Sequence, residues 1–205
     1  MDEYFEYFLK QFGPPVERRW VPQSSVDRYR GKLPDQLLAY WEEHGWTGYA
    51  DGLFWTVDPQ EYEPVVDAWI GGTRFMEEDT YHMIARGAFG NVYLLGERSA
   101  SKLHIVAPDS IMMKPSPSPS DRDRAVLAFF GSRSRGGNDL SDVNGERLFA
   151  PALKKLGPLK HDEMYGFVPA LALGGPATLD HLQKVKAVEH LVLLAQLSEL
   201  RMFPG

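Results

Sequence analysis

Proline and serine alternate over residues 115–120, within SIMMKPSPSPSDRDR, and this run constrains the chain more than any other stretch. Proline locks its own φ, removes a backbone donor and pushes the preceding residue away from helical angles. Neither a helix nor a central strand can pass through such a run. An exposed connector is therefore expected over 110–122. It divides the 205 residues into 1–109 and 123–205, each of domain size. Whether the two parts pack as one body is left open at this level.

The first part reads as mixed α and β. Tyr4, Phe5, Phe8, Leu9 and Phe12 form an apolar stripe at helical spacing, stopped by Gly13-Pro14-Pro15. In LPDQLLAYWEEHGW, Pro34 opens a helix, Asp35 complements its positive end, and Gly45 suits its C-terminal cap. DGLFWTV reads as a strand. DPQEYEPVVDAWIGG predicts a helix capped by Asp58, with Pro59 in its first turn and Gly71-Gly72 after it. YHMIARGAFGNVYLLGE predicts two strands around a Gly-Asn turn, and KLHIVAP a third.

The second part opens with a helix near DRDRAVLAFF, followed by a flexible loop at 131–139. GERLFAPALKKLG predicts a short helix ended by Gly157. Phe167, Val168, Leu171 and Leu173 suit a buried strand, in which Pro169 requires an edge or a bulge. TLDHLQKVKAVEHLVLLAQLSEL predicts one long helix with Thr178 as its cap and Asp180 in the first turn.

Several function classes are excluded or weakened by composition. There is no cysteine, hence no disulfide, thiolate metal site or catalytic thiol. No apolar run approaches the roughly 18 residues of a membrane helix, and MDEYFEYFLKQF lacks the apolar centre of a secretion signal. A cytoplasmic location is expected. The net charge of −6 is concentrated: residues 51–100 hold nine acids against three bases. Such a field repels nucleic acid and attracts basic partners.

The chemical motifs are weak. His161, Asp162 and Glu163 are consecutive, and adjacent side chains diverge, so they are expected to brace a turn and not to hold a metal. None of the six histidines lies four residues from another, and His181 and His190 are placed on the same predicted helix. GSRSRGGN has paired arginines among glycines but no Gly-Lys-Ser/Thr ending. There is no Gly-x-Ser-x-Gly elbow. No catalytic residue, metal or cofactor is expected. Most of the five tryptophans read as core. Trp46 and Tyr49, close to glycines, are expected at the surface.

LPDQLLAYWEEHGW, YADGLFWTVDPQEYEPVVDAWI and YHMIARGAFGNVYLLGE together resemble the GAD-like domain. LFAPALKKLGPLKHDEMYGFVPALALGG and LDHLQKVKAVEHLVLLAQL resemble the small domain that follows it in bacterial immunity proteins. The whole is similar to type VI secretion immunity proteins that neutralise a DNase effector. The resemblance implies an α+β fold: a GAD-like domain with a short antiparallel sheet, then a smaller helix-rich α+β domain. It also implies a non-enzymatic protein that binds a cognate nuclease toxin and no nucleic acid directly. A small enzyme using His161 or His82 with nearby carboxylates is the alternative, with a regulatory nucleic-acid module as another. The expected contact residues are the acids Asp58, Glu61, Asp67, Glu77, Glu78 and Asp79, the aromatics Trp46 and Tyr49, and Arg133 with Arg135. Glu77, Glu78 and Asp79 are expected together on a loop after Gly71-Gly72.

Overall fold

The computed structural model describes residues 2–115 and 121–203. Residues 116–120, most of the Pro/Ser run, lie outside the described residues.

Local sequence sets the first helix. Asp2 accepts from the backbone N–H groups of Tyr4 and Phe5, α1 spans Glu3–Phe12, and Gly13 ends it at φ 79°. The predicted stripe buries Phe5, Phe8 and Phe12, whereas Tyr4 stays 40% exposed. Strand β1 (Val16–Arg19) and α2 (Gln23–Tyr29) follow. Helix α3 (Asp35–His44) starts after Pro34 and ends at Gly45, as expected. Strands β2 (Trp46–Tyr49) and β3 (Phe54–Thr56) come next.

Helix α4 (Glu63–Ile70) begins later than the sequence reading placed it. Residues 59–62 form turns, Asp58 accepts from the Gln60 N–H at 3.0 Å, and Pro64 occupies the first helical turn. Proline fits the first turn wherever the helix starts, so both Pro59 and Pro64 satisfied the same rule. A short helix α5 (Arg74–Glu78) replaces the expected loop after Gly72. The predicted hairpin is β4 (Tyr81–Gly87) and β5 (Asn91–Gly96), then β6 (Lys102–Val106) and β7 (Ile111–Met112). Strand β7 thus takes up part of the expected connector.

In the second part, α6 (Arg122–Gly131) is capped by Asp121. The segment expected to be a flexible loop contains a helical turn, α7 (Arg135–Asn138), capped by Ser134. Helix α8 (Phe149–Leu156) ends at Gly157. Strand β8 (Glu163–Phe167) is shorter than expected, because Leu171–Leu173 turn as a 3-10 helix after Pro169 and Leu173 is 64% exposed. The expected long helix is corrected as well. Leu179–His181 form a 3-10 turn, β9 (Leu182–Lys186) pairs with β8, and only α9 (Ala187–Leu197) is α-helical. Cross-strand pairing overrides the local helical preference there. The Thr178 hydroxyl bonds His181 Nδ1 and does not cap a helix, and His181 does not share one with His190. Strand β10 (Arg201–Met202) comes last.

The larger sheet has the order β1-β2-β3-β4-β5-β6-β7-β10, antiparallel except for β10 against β7. The fold is α+β with a mostly antiparallel sheet. Aromatic side chains fill the space between the sheet and the helices. Phe130 of α6 lies 5.1 Å from Phe5, 5.3 Å from Phe8 and 5.3 Å from Tyr40, so α6 packs on α1 and α3. On another side, Trp69 of α4 donates to the Leu191 carbonyl of α9 at 3.1 Å.

Candidate partner-binding surface

Helix α4 has two unlike faces. Val65, Val66, Trp69 and Ile70 are buried, while Glu63 and Asp67, four residues apart, share the outward face. Glu61, just before the helix, is exposed and pairs with Arg19 of β1 at 2.6 Å. Asp58 is half-buried, and burial raises its pKa above the ordinary carboxylate value. Glu77 and Glu78 are exposed on α5.

Asp79 does not join them. It is buried, and its carboxylate accepts from the backbone N–H groups of Thr80, Arg98 and Ser99 and from the Ser99 hydroxyl at 2.6 Å. Burial alone would raise its pKa, but these hydrogen bonds outweigh it and hold the carboxyl below its ordinary value. Asp79 therefore shapes the turn after β5 and presents no charge to a partner. Helix α5 ends at Glu78 and the extended backbone of Asp79 turns its carboxylate inward, leaving two acids outside and one inside.

The aromatic expectations are also corrected. Trp46 and Tyr49 are 3% and 0% exposed, because β2 is covered on both faces. The exposed tryptophan is Trp20, at 66%, with the Arg18 guanidinium 4.9 Å from its ring centroid. It directly follows Arg19, whose pairing with Glu61 sets this edge of the sheet beside the acidic segment. The signal in the sequence was the polar neighbourhood of ERRW, which offers no apolar face. Tyr7 is also 51% exposed. Exposed Trp, Tyr and Arg are the residue types most enriched at protein interfaces.

The two arginines separate. Arg135 is exposed and donates from Nε to the Gln11 carbonyl at 2.6 Å. Arg133 is half-buried, with its guanidinium 5.1 Å from the Tyr93 ring centroid and 4.9 Å from that of Phe129.

The His161 side chain is exposed, and its backbone is tied into the structure. The His161 carbonyl accepts from Arg86 at 2.8 Å. Asp162 pairs with Lys186, and Glu163 pairs with Lys184 at 3.5 Å while accepting from the Lys160 N–H at 3.0 Å. These residues brace the turn that enters β8. His82 Nε2 lies 2.9 Å from Glu97, across the β4–β5 pair. Among the described residues, no group of three His, Asp or Glu is placed to hold a metal ion. None of their helices is long and apolar enough to cross a membrane.

The chain is similar to the structure described as "Crystal structure of Atu4351 from Agrobacterium tumefaciens". The identity is 23%, the TM-score is 0.82, and the match covers 94% of this chain and 88% of that one. At that identity the likeness establishes the fold. No curated protein matches the chain. The family model of the C-terminal part of the T6SS immunity protein Tdi1 matches residues 123–198. That match supports a role as a type VI secretion immunity protein, whose partner is a protein. The model of the GAD-like domain matches residues 3–109, half of the sequence, and the chain belongs to the GAD-like domain family.

Proposed function

We propose that this protein is a bacterial, cytoplasmic immunity protein. It binds a cognate type VI secretion nuclease toxin, a DNase, and neutralises it by stoichiometric occlusion, without turnover. The observation that carries the reading is the match of residues 123–198 to the immunity protein's C-terminal domain. In bacterial competition, a cell that carries such a protein survives the toxin delivered by its neighbours.

The surface supports a mechanism. A nuclease presents a basic groove to phosphate. Glu63 and Asp67 on one face of α4, with Glu77 and Glu78 on α5, offer it carboxylates held on short helices. Complementary charge steers encounter, up to roughly 10⁸ M⁻¹s⁻¹ at low salt. Trp20, beside the Arg19–Glu61 pair, supplies an apolar anchor. A stable complex of this kind buries on the order of 1,600 Å².

Co-expression with the nuclease encoded next to its gene provides the test. Survival of cells carrying both genes, and recovery of a one-to-one complex that no longer cleaves DNA, are expected. Undiminished cleavage by the toxin at a stoichiometric excess of the purified protein would falsify the reading.

A further inference from the structure

A pocket of about 210 Å³ opens between the face of β5 and β6 and the end of α6. Lys102 and His104 lie two residues apart on β6 and leave the sheet on the same side. Tyr93 is opposite His104 in register, and their rings stack at 4.5 Å. Arg133 closes the wall from the end of α6, and Lys114 completes the rim.

The cations of this pocket face neutral groups. Arg133 donates from Nε to the Phe129 carbonyl at 3.2 Å and from one Nη to the Ser132 hydroxyl at 3.3 Å. His104 Nε2 is bonded to the Asn91 side-chain oxygen at 2.8 Å. No carboxylate lines the pocket, and among the described residues neither Lys102, Lys114 nor Arg133 forms an ion pair. Burial, and after it the charge of Arg133, depress the pKa of Lys102. Three like charges around one concavity, in a chain of net charge −6, have an obvious remedy: a bound anion.

We propose that this pocket is a receptor for one compact anionic group, a phosphate or a carboxylate. The net negative charge disfavours a long polyanion passing over the surface. The guanidinium of Arg133 and the Lys102 ammonium supply the charge-assisted donors, while Tyr93 and Phe129 hold the guanidinium plane in place. This inference does not depend on the immunity reading.

The experiment is a titration of the full-length ¹⁵N-labelled protein at constant ionic strength. One arm uses sodium phosphate. The other uses N-acetylglutamate amide, which mimics an acidic protein side chain. Saturable shifts at Lys102, His104 and Arg133 are expected, with a dissociation constant on the order of 1 mM. Lys102→Gln and Arg133→Gln should each weaken binding by about tenfold. The rim variant Lys114→Gln, outside any helix or strand, provides a further check that leaves the fold unburdened. Tighter binding of phosphate assigns the pocket to a free or esterified phosphate; tighter binding of the glutamate mimic assigns it to a partner's carboxylate. Shifts that rise linearly without saturation for both probes, or that are unchanged in all three variants, overturn the proposal.

Discussion

The buried guanidinium of Arg86 donates to the backbone carbonyl of His161 at 2.8 Å, joining the centre of the large sheet to the turn that opens the small one. Its Nε donates to the Tyr62 hydroxyl at 3.0 Å, and its plane lies 4.9 Å from the Trp55 ring centroid. Neutral acceptors thus surround a charge that is fully out of solvent. Lysine cannot reproduce this fork or its stacking. Arg86→Lys should lower stability by about 2–4 kcal/mol, measured by urea unfolding.

Asp79 should couple folding to acid. Its folded pKa lies below its ordinary value, so its contribution is present above the unfolded pKa, about 3.9, and fades as pH falls through the folded value. Asp79→Asn should cost about 1–3 kcal/mol at pH 7 and flatten stability against pH below 4. An unchanged slope in the variant would count against the hydrogen-bonded cage as its origin.

His104 acts in a higher window. Burial, then Arg133, lower its pKa from 6.5 to about 4. A neutral histidine stabilises the fold above pH 6.5, and that stability is lost as pH falls from 6.5 through 4. His104→Gln should remove a dependence of up to about 1.4 kcal/mol per pH unit, read from denaturant midpoints across that range.

Gly45 stands where α3 meets β1. Its φ is +75°, and a Cβ there would lie 2.4 Å from the Arg19 carbonyl oxygen. Gly45→Ala combines left-handed backbone strain with a backbone clash. A loss of about 1–3 kcal/mol is expected, visible as a lower Tm.

Charge reversal at Glu63, Asp67, Glu77 and Glu78 separates recognition from folding. All four side chains are exposed, so the Lys variant should keep its Tm within a few degrees, since surface substitutions change stability by about 0.5 kcal/mol or less each. Association with the toxin should slow by about tenfold or more at low salt, and its salt dependence should flatten. An unchanged rate in stopped-flow mixing would remove these acids from the encounter. Asp79 is left out of this set because its loss acts on the fold.

Local grammar was legible where each signal sits within a few residues. Helices α1, α3 and α8 end at Gly13, Gly45 and Gly157, and the β4–β5 hairpin forms as expected, although it turns over residues 88–90 and Asn91 of the expected Gly-Asn turn already opens β5. Elements defined by a distant partner were not legible. Strand β1 is VERR, which has no apolar alternation and exists through pairing with β2. Strand β9 is LQKVK, helical in propensity and extended because β8 lies beside it. The candidate surface divided in the same way: the acidity of residues 58–78 was visible as composition, but the inward turn of Asp79 depends on backbone donors at residues 98 and 99. Trp46 and Tyr49, expected at the surface, are buried for the same reason, since the glycines beside them do not report that both faces of β2 are covered.

The pairing of β10 with β7 has a consequence for handling the protein. The Arg201 N–H donates to the Ser110 carbonyl, and the Phe203 N–H to that of Met112, so two short hydrogen-bonded residues seal the flank of an eight-stranded sheet. Cutting the chain after Leu200 would bare β7 as a sticky seam, open to strand addition from another molecule.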